Sequence, residues 1–177
     1  MLIRPERPED IEAISAVIAA AFREAEHSAP PLEPGGDPGE VPLVAWLRED
    51  AGWIPELSLV AVDGDAVIGH VLATRAFVGE VPVLGLGPLS VLPARQSGGV
   101  GASLMNAVLG VAEEMSEPLV GLLGDPAYYG RFGFLPASAA GVEAPDPDWG
   151  DYFQIKTLSS YRGSRGLFRY AEPFSRL

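Results

Sequence analysis

A glycine-rich turn in the middle of the chain is the residue pattern with the clearest chemical use. Residues 96–101 read Gln-Ser-Gly-Gly-Val-Gly, and apolar residues at helical spacing follow them. A glycine turn that opens a helix directs several backbone N–H groups outward at the positive end of the helix dipole, where they bind phosphate groups. Glycines at the same place also allow a tight strand-to-helix connection without any ligand. The pattern therefore indicates either an anion site or a purely structural turn.

The common nucleotide-binding and hydrolase motifs are absent from this region. A phosphate loop needs a lysine after its last glycine, but the only lysine of the chain is Lys156. A dinucleotide fingerprint that starts at Gly85 needs a glycine at position 90, where the sequence has Ser90. A nucleophile elbow centred on Ser97 needs a glycine two residues earlier, where Arg95 stands. These absences exclude three frequent explanations of such a turn.

Composition and charge exclude further classes of protein. The chain has 177 residues, no cysteine and a formal net charge of −12. Without cysteine there is no disulfide scaffold, thiolate metal site or catalytic thiol, and neither His27 nor His70 has an acidic cluster at metal-ligand spacing, so we expect no metal site. No basic face is available for the phosphates of nucleic acid, and no apolar stretch reaches the length of a membrane span. We therefore expect a cytoplasmic protein that binds neither nucleic acids nor membranes.

The remaining pattern predicts the elements of a single mixed α/β domain over residues 1–177. Apolar periodicity and helix-start residues predict helices at 9–24, around 44–47, at 100–115 and from 125. Apolar runs bounded by turn residues predict strands at 1–4, 57–62, 66–76, 81–91, 119–123, 152–158 and 167–170. Residues 28–42, which are rich in proline and glycine, are predicted to be a loop.

One of these strands is interrupted. Residues 81–91 contain Gly85, Gly87 and Pro88. Such residues weaken the hydrogen bonding of a central strand and usually mark a bulge or the close approach of another backbone. We therefore expect this strand to be irregular just before the glycine turn.

The motifs together resemble one known family. The run Gly-Pro-Leu-Ser-Val-Leu-Pro at 87–93 leads into Gln-x-x-Gly-x-Gly at 96–101, and Gly-Asp-Pro-Ala-Tyr-Tyr-Gly-Arg-Phe-Gly-Phe follows at 124–134. This combination resembles the GNAT superfamily of N-acetyltransferases, in particular its YhbS-like bacterial branch. The resemblance covers about residues 1–136 and is thin over 137–177. It implies a single α/β domain with a mixed, mostly antiparallel sheet, a splayed central strand pair and flanking helices.

The resemblance also implies acetyl-coenzyme A as cosubstrate and a set of residues that bind it. In the family, the glycine turn holds the pyrophosphate through backbone N–H groups, and the pantetheine arm lies along the free edge of the splayed strand like an added strand. A backbone N–H there polarises the thioester oxygen. On this chain the implied cofactor-binding residues are Leu89, Ser90, Val91, Gln96, Ser97, Gly98, Gly99, Val100, Gly101 and Ala102.

Tyr129 matches the family tyrosine that protonates the departing thiolate, which is a general-acid role. Without the resemblance, a packed aromatic residue would be the preferred interpretation. Tyr128 points to another helical face and is interpreted as a packing residue. Arg131 is left open between a cofactor contact and a salt bridge. Many relatives have an asparagine seven residues before the tyrosine, but this chain has Leu122 there, so that contact with coenzyme A is in doubt.

The general base is not identified by the sequence. Glu80, Glu24 and Glu26 are candidates, and water is a fourth. The predicted function is transfer of an acetyl group to a primary amine of a small molecule or protein. The net charge favours a cationic acceptor, and a homodimer is left open. The alternative is a catalytically silent acyl-coenzyme A-binding module used in sensing or assembly.

Overall fold

The computed structural model describes residues 1–177, which form a nine-stranded sheet with helices on its faces. The four α-helices are α1 (Ile11–Phe22), α2 (Glu40–Glu49), α3 (Val100–Glu114) and α4 (Pro126–Tyr129). The first five strands are β1 (Leu2–Pro5), β2 (Ser58–Asp63), β3 (Ala66–Val78), β4 (Val81–Val91) and β5 (Leu119–Leu123). The other four are β6 (Leu135–Pro136), β7 (Val142–Glu143), β8 (Phe153–Thr157) and β9 (Gly166–Arg169).

The sheet is mixed and mostly antiparallel, as predicted. Its strand order is β1-β2-β3-β4-β5-β8-β6, while β9 pairs with β3 and β7. The neighbours β4 and β5 are parallel, and β7 and β9 form a second parallel pair. No helix combines the length and the apolar character that crossing a lipid bilayer requires.

The central strands β4 and β5 are paired at one end and separate at the other, in the shape of a V. Leu84 opposes Val120 and Gly85 opposes Gly121, and the pairing of β4 with β5 ends there. Residues 86–91 of β4 therefore have no strand partner on the β5 side. This confirms the splayed strand pair that the resemblance implied.

A bulge in β4 lies where the V begins to open. Val71 of β3 opposes Leu89, but Ala73, two residues further along, opposes Leu86, so β4 carries one extra residue. Gly87 in this segment has φ +153°, a value that favours glycine. The extra residue increases the local twist and bends the strand. The predicted irregularity of this strand is therefore present, at the predicted residues.

Helices cover both faces of the sheet. On one face α3 buries Leu104, Met105 and Val108 against β3 and β4. On the other face α1 and α2 bury Ile14 and Leu47, together with Ile18, Leu43, Val44, Val60 and Leu72. Burial of this apolar surface is the main force that holds the helices to the sheet.

Two boundaries differ from the sequence prediction. Residues 40–42 of the predicted loop form the first turn of α2, although Pro42 is among them. Proline is tolerated there because the N–H groups of the first helical turn have no partner within the helix. The first helix begins at Ile11 rather than residue 9, because Pro8–Asp10 form a 3₁₀ turn before it. The short strands β6 and β7 were not predicted.

A buried polar network ties β1 to α2 and the sheet. Glu6 Oε1 accepts a hydrogen bond from Arg48 Nε at 2.7 Å, and Glu6 Oε2 accepts one from the Ser58 hydroxyl. His70 Nε2 lies 2.9 Å from Ser58 Oγ. His70 is completely buried. Since Ser58 gives its proton to Glu6 and receives one from His70, its hydroxyl is not an activated nucleophile.

The network sets the acid sensitivity of the fold. Burial raises the pKa of Glu6, but hydrogen bonds from His70, Arg48 and Ser58 and the charge of Arg48 outweigh burial and lower it to about 2. The native state therefore gains stability from ionised Glu6 above pH 4.5, and it loses that stability as the pH falls toward 2.

We expect Glu6→Gln to lower the free energy of unfolding at pH 7 by about 2–3 kcal/mol, because it removes one partner of a buried charge pair. Urea denaturation between pH 7 and pH 2 measures this loss. The difference from the wild type should shrink as the pH falls from 4.5 toward 2, where Glu6 begins to be protonated in the native state as well. The control is Glu9→Gln, an exposed position. A difference that stays constant down to pH 2 would contradict this account.

Candidate active site

The glycine turn presents a run of backbone donors. The N–H groups of residues 97–102 donate no hydrogen bond within the protein, because they belong to the turn and to the first turn of α3. Ser97 and Gly99 have φ of +61° and +89°. A non-glycine residue with positive φ is strained, and such strain is concentrated at functional sites. The run is therefore a concave set of donors suited to a phosphate group.

These donors line a cleft of about 610 Å³. Its floor and walls come from α1, β4, the turn, α4 and the segment after α4. The lining residues are Ala21, Phe22, Leu89, Val91, Gln96, Ser97, Gly99, Gly101, Ala102, Tyr128 and Arg131. Arg131 is the only charged residue among them. Its guanidinium lies 4.5 Å from the centre of the Tyr128 ring and pairs with no acid. Although the chain as a whole has a net charge of −12, the backbone donors and Arg131 make this cleft favourable for anions.

The bend of β4 gives the cleft a free backbone edge. Leu92 N–H donates to Ile68 O of β3 at 2.9 Å, and groups on an antiparallel strand alternate in direction. Ser90 therefore directs its backbone groups to β3, while Leu89 and Val91 direct theirs to the open side. Gln96 Nε2 donates to Val91 O at 3.1 Å, which fixes the turn against the end of β4.

Tyr129 lies beside this cleft, in the wall of a second cavity. Its ring packs edge-on against Tyr128 and Phe134, at centroid distances of 4.8 and 6.1 Å. Gly124 makes room for the ring, because a Cβ at that position would overlap Tyr129 Cε2. Burial raises the pKa of Tyr129 to about 12. The hydroxyl thus stays protonated at physiological pH and is available as a donor.

The second cavity has a volume of about 430 Å³ and is mostly apolar. Phe22 and Leu89 line both the cleft and this cavity, so the two spaces adjoin at these side chains. The other lining residues are His27, Glu40, Leu43, Leu86, Gly87, Pro88, Leu122, Leu123, Tyr129, Trp149, Tyr170, Phe174 and Leu177. Glu40 is the only acidic residue of the set, and no lysine or arginine belongs to it.

The sequence pattern of the Acetyltransferase (GNAT) family matches residues 19–134, which include the glycine turn and Tyr129. The chain belongs to the GNAT family of acetyltransferases. It is 34% identical over 181 aligned residues to the uncharacterized N-acetyltransferase YhbS of Escherichia coli K12, with 99% of each chain covered.

Two solved structures of GNAT acetyltransferases resemble this one over nearly the whole chain. The crystal structure of Escherichia coli YhbS in complex with CoA has a TM-score of 0.84 and 32% identity, and covers 99% of this chain and 92% of that chain. A GNAT acetyltransferase from Brucella melitensis in complex with acetyl-CoA has a TM-score of 0.77 and 32% identity, with 98% and 97% covered.

Most of the cofactor-binding residues predicted for this GNAT protein lie together. Seven of them line the cleft: Leu89, Val91, Gln96, Ser97, Gly99, Gly101 and Ala102. Gly98 is exposed beside them, and Val100 is buried in the core while its N–H belongs to the donor run. Ser90 is 1% exposed and faces β3, so it is not brought to the cleft.

The predicted candidates for a general base are not brought to this site. Glu80 lies at the tip of the β3–β4 hairpin, about 30 Å along the strand from Leu89. Glu24 and Glu26 are exposed after α1 and line neither the cleft nor the second cavity.

Sequence reasoning missed Tyr128 and Glu40. The prediction that Tyr128 and Tyr129 face different sides of their helix was reasonable, but the side of Tyr128 is the cleft. The three-residue spacing from Tyr128 to Arg131 was a usable signal, since residues so spaced are neighbours on a helical turn.

Proposed function

We propose that this chain transfers the acetyl group of acetyl-coenzyme A to a primary amine. The observation that carries the proposal is that the two spaces adjoin, with Leu89 and Phe22 as shared walls. One space offers backbone donors and Arg131 to an anionic ligand, and the other offers an apolar wall and Glu40 to an amine. Where the two meet, an amine nitrogen and a thioester carbon can approach each other, which is the geometric requirement of a direct transfer.

In this proposal the cosubstrate lies in the cleft. The N–H groups of residues 97–102 hold its pyrophosphate, and Arg131 adds a positive charge beside it. Leu89 and Val91 offer the backbone edge of β4 to the amide groups of the pantetheine arm. A backbone N–H of this edge, directed at the carbonyl oxygen, stabilises the charge that develops in the tetrahedral intermediate.

Tyr129 is proposed as the donor to the leaving sulfur. The amine nitrogen attacks the thioester carbon, the carbon–sulfur bond breaks, and the sulfur leaves as a thiolate unless a proton reaches it. Tyr129 lines the second cavity, and its hydroxyl has no hydrogen-bond partner in the protein. A positioned donor of this kind is a general acid.

Binding of the cosubstrate is tested by thermal denaturation with added ligands. Coenzyme A should raise the melting temperature in proportion to the logarithm of its concentration, because it binds the native state. The shift should survive a chelator, since the proposed contacts need no metal ion. Stabilisation by NAD or ATP without stabilisation by coenzyme A would overturn the proposal.

Turnover is tested by following thiol release from acetyl-coenzyme A with a panel of amines. Acceleration by at least one amine, with the acetylated amine identified by mass spectrometry, separates an acetyltransferase from a silent acyl-coenzyme A-binding module. Binding of coenzyme A without thiol release for any amine would favour the module.

A further inference from the structure

Glu40 is an unusual residue for the wall of an apolar cavity. It is 8% exposed, and its Oε1 accepts a hydrogen bond from Ala29 N–H at 2.6 Å. Its other oxygen, Oε2, is buried and has no hydrogen-bond partner. Buried polar atoms in native proteins are nearly always paired, because an unpaired one loses its hydration without compensation. The unpaired oxygen therefore needs an explanation.

A structural role explains only one of the two carboxylate oxygens of Glu40. The bond to Ala29 N–H, together with that from Gly39 N–H to Ala29 O at 3.0 Å, closes the proline-rich loop onto the start of α2. That closure needs a single acceptor oxygen and no charge, so a glutamine would serve equally well. The negative charge and Oε2 remain unexplained by it.

The charge also opposes folding. Burial raises the pKa of Glu40, although the N–H groups of Ala29 and of Glu40 itself partly offset this effect. A carboxylate whose pKa is raised in the native state contributes stability below its unfolded pKa and loses that contribution as the pH rises. At neutral pH the ionised group is therefore unfavourable for the fold, as is common for groups kept for function.

The rest of the cavity indicates what the charge is for. Aromatic and aliphatic side chains form most of the wall, and Glu40 is its only acid. The other titratable groups in the wall are His27, Tyr129 and Tyr170. The nearest arginines on α2 and on the C-terminal turn already have partners: Arg48 pairs with Glu6, and Arg176 pairs with Glu172. No cation in the wall compensates the carboxylate, so a cation from outside is its natural partner.

Building on the proposed transfer to an amine, we infer that Glu40 binds the ammonium group of the acceptor and takes its first proton. We infer also that the acceptor is a cationic amine on an uncharged, apolar body that fits about 430 Å³. This volume lies within the range of about 300–1,000 Å³ that is typical of small-molecule sites. A carboxylate elsewhere on the acceptor finds no lysine or arginine in the wall, so we expect amino acids to bind more weakly.

The protons balance as follows. The ammonium group gives one proton to the Glu40 carboxylate, which leaves a neutral amine beside a neutral acid; in an apolar cavity this pair avoids burying two charges. The neutral amine attacks the thioester carbon and the carbon–sulfur bond breaks. Tyr129 gives its proton to the leaving sulfur, and the second proton lost by the amine replaces it on Tyr129. Glu40 releases its proton to solvent when the amide leaves. The overall products are the acetylated amine, the free thiol and one proton.

The test uses Glu40→Gln, which keeps the acceptor for Ala29 N–H and removes only the charge. Glu49→Gln, at an exposed position on the same helix, is the matched control. Phenethylamine is the probe, and its binding in the presence of coenzyme A is measured by calorimetry. We expect Glu40→Gln to weaken binding by about tenfold to a hundredfold, the value of one hydrogen bond to a charged group, and Glu49→Gln to leave it unchanged. The melting temperature of Glu40→Gln should be unchanged or higher.

A second measurement separates this inference from the proposed function. Phenylalanine differs from phenethylamine by one carboxylate, and we expect the wild type to bind it at least about tenfold more weakly, because that carboxylate would be buried unpaired. Equal binding of the two probes, no binding of phenethylamine, or full binding by Glu40→Gln would overturn the inference. Glu40-dependent binding without thiol release would support the ammonium site at Glu40 and refute acetyl transfer to this amine.

Where turnover is seen, the kinetic constants test the proton transfer. We expect kcat of Glu40→Gln to fall by about 10²–10⁴-fold, as for other losses of a general base, in addition to the rise in KM. A rise in KM with an unchanged kcat would refute proton transfer to Glu40.

Discussion

Replacement of Tyr129 by phenylalanine is expected to lower kcat by about 10²–10⁴-fold while acetyl-coenzyme A binds nearly as well as it does to the wild type. Phenylalanine keeps the ring that packs against Tyr128 and Phe134 and fills the space beside Gly124. It removes only the hydroxyl, which has no hydrogen bond to lose within the protein. Loss of turnover with retained binding is the mark of an interaction made in the transition state.

The raised pKa of Tyr129 shapes this expectation. A phenol of pKa about 12 is a weaker acid than an ordinary thiol, whose pKa is about 8.5, so complete transfer to a hydrated thiolate is unfavourable. A sulfur in the same apolar surroundings is a stronger base, because burial disfavours its charged form as well. We therefore expect Tyr129 to act on a sulfur that is shielded from water.

The measurement combines steady-state kinetics with calorimetric titration of acetyl-coenzyme A. Tyr152→Phe is the control, because Tyr152 is 53% exposed and its hydroxyl can be removed without touching the site. Full turnover by Tyr129→Phe with an identified acceptor would show that Tyr129 is only a packing residue. Slow hydrolysis of acetyl-coenzyme A can serve as the readout until an acceptor is identified.

The second large effect is expected at Gly101, where valine should weaken coenzyme A binding by roughly a hundredfold or more. A Cβ at Gly101 would lie 2.8 Å from Tyr128 Oη and 3.8 Å from Val91 Cγ2, so it would enter the cleft between two of its walls. A side chain there prevents a phosphate from reaching the amides of the turn. Loss of two hydrogen bonds to a charged group accounts for an effect of this size.

The folding stability of Gly101→Val should change little. Gly101 lies in the first turn of α3 and has no positive φ, so its backbone accepts a valine. Gly110→Val is the matched control, because Gly110 is in the same helix and nothing lies within 4 Å of its added Cβ. Equal losses of affinity and of unfolding free energy at Gly101 would support a purely structural turn. Gly99 is less informative, since its φ of +89° makes any side chain strained.

The elements that local sequence determines were predicted well. The β2–β3 hairpin at 63–65, the start of α3 at Val100 and the short helix after Asp125 depend on turn glycines, caps and apolar spacing within a few residues. The donor run of the glycine turn follows from the same local signals. Most residues proposed to hold acetyl-coenzyme A could therefore be assigned to one cleft from local sequence signals.

The acceptor side depends on contacts between distant parts of the chain. Glu40 meets the C-terminal residues Tyr170 and Phe174 in one cavity wall, and nothing near position 40 indicates this. The proline-rich composition of 28–42 favoured a loop and concealed the start of α2. Glu80 was a candidate for the general base because it lies at the start of β4. That end of β4 is opposite to the end where β4 and β5 separate. Long-range packing thus determined which carboxylate faces the site.

The bulge of β4 changes which residues of the strand, even-numbered or odd-numbered, face α3. Before it, the even-numbered Leu84 and Leu86 face α3, whereas after it the odd-numbered Leu89 and Val91 do so. Because β4 carries one residue more than β3 in this segment, removal of one residue between them would restore the regular alternation, leaving both side chains facing α3 and Ser90 paired with β3. We expect the bend that the extra residue gives to β4 to be lost, and with it the separation from β5 that leaves an edge free for the cosubstrate. The number of residues in this segment therefore determines whether the edge is open, and not which side chains face the helix.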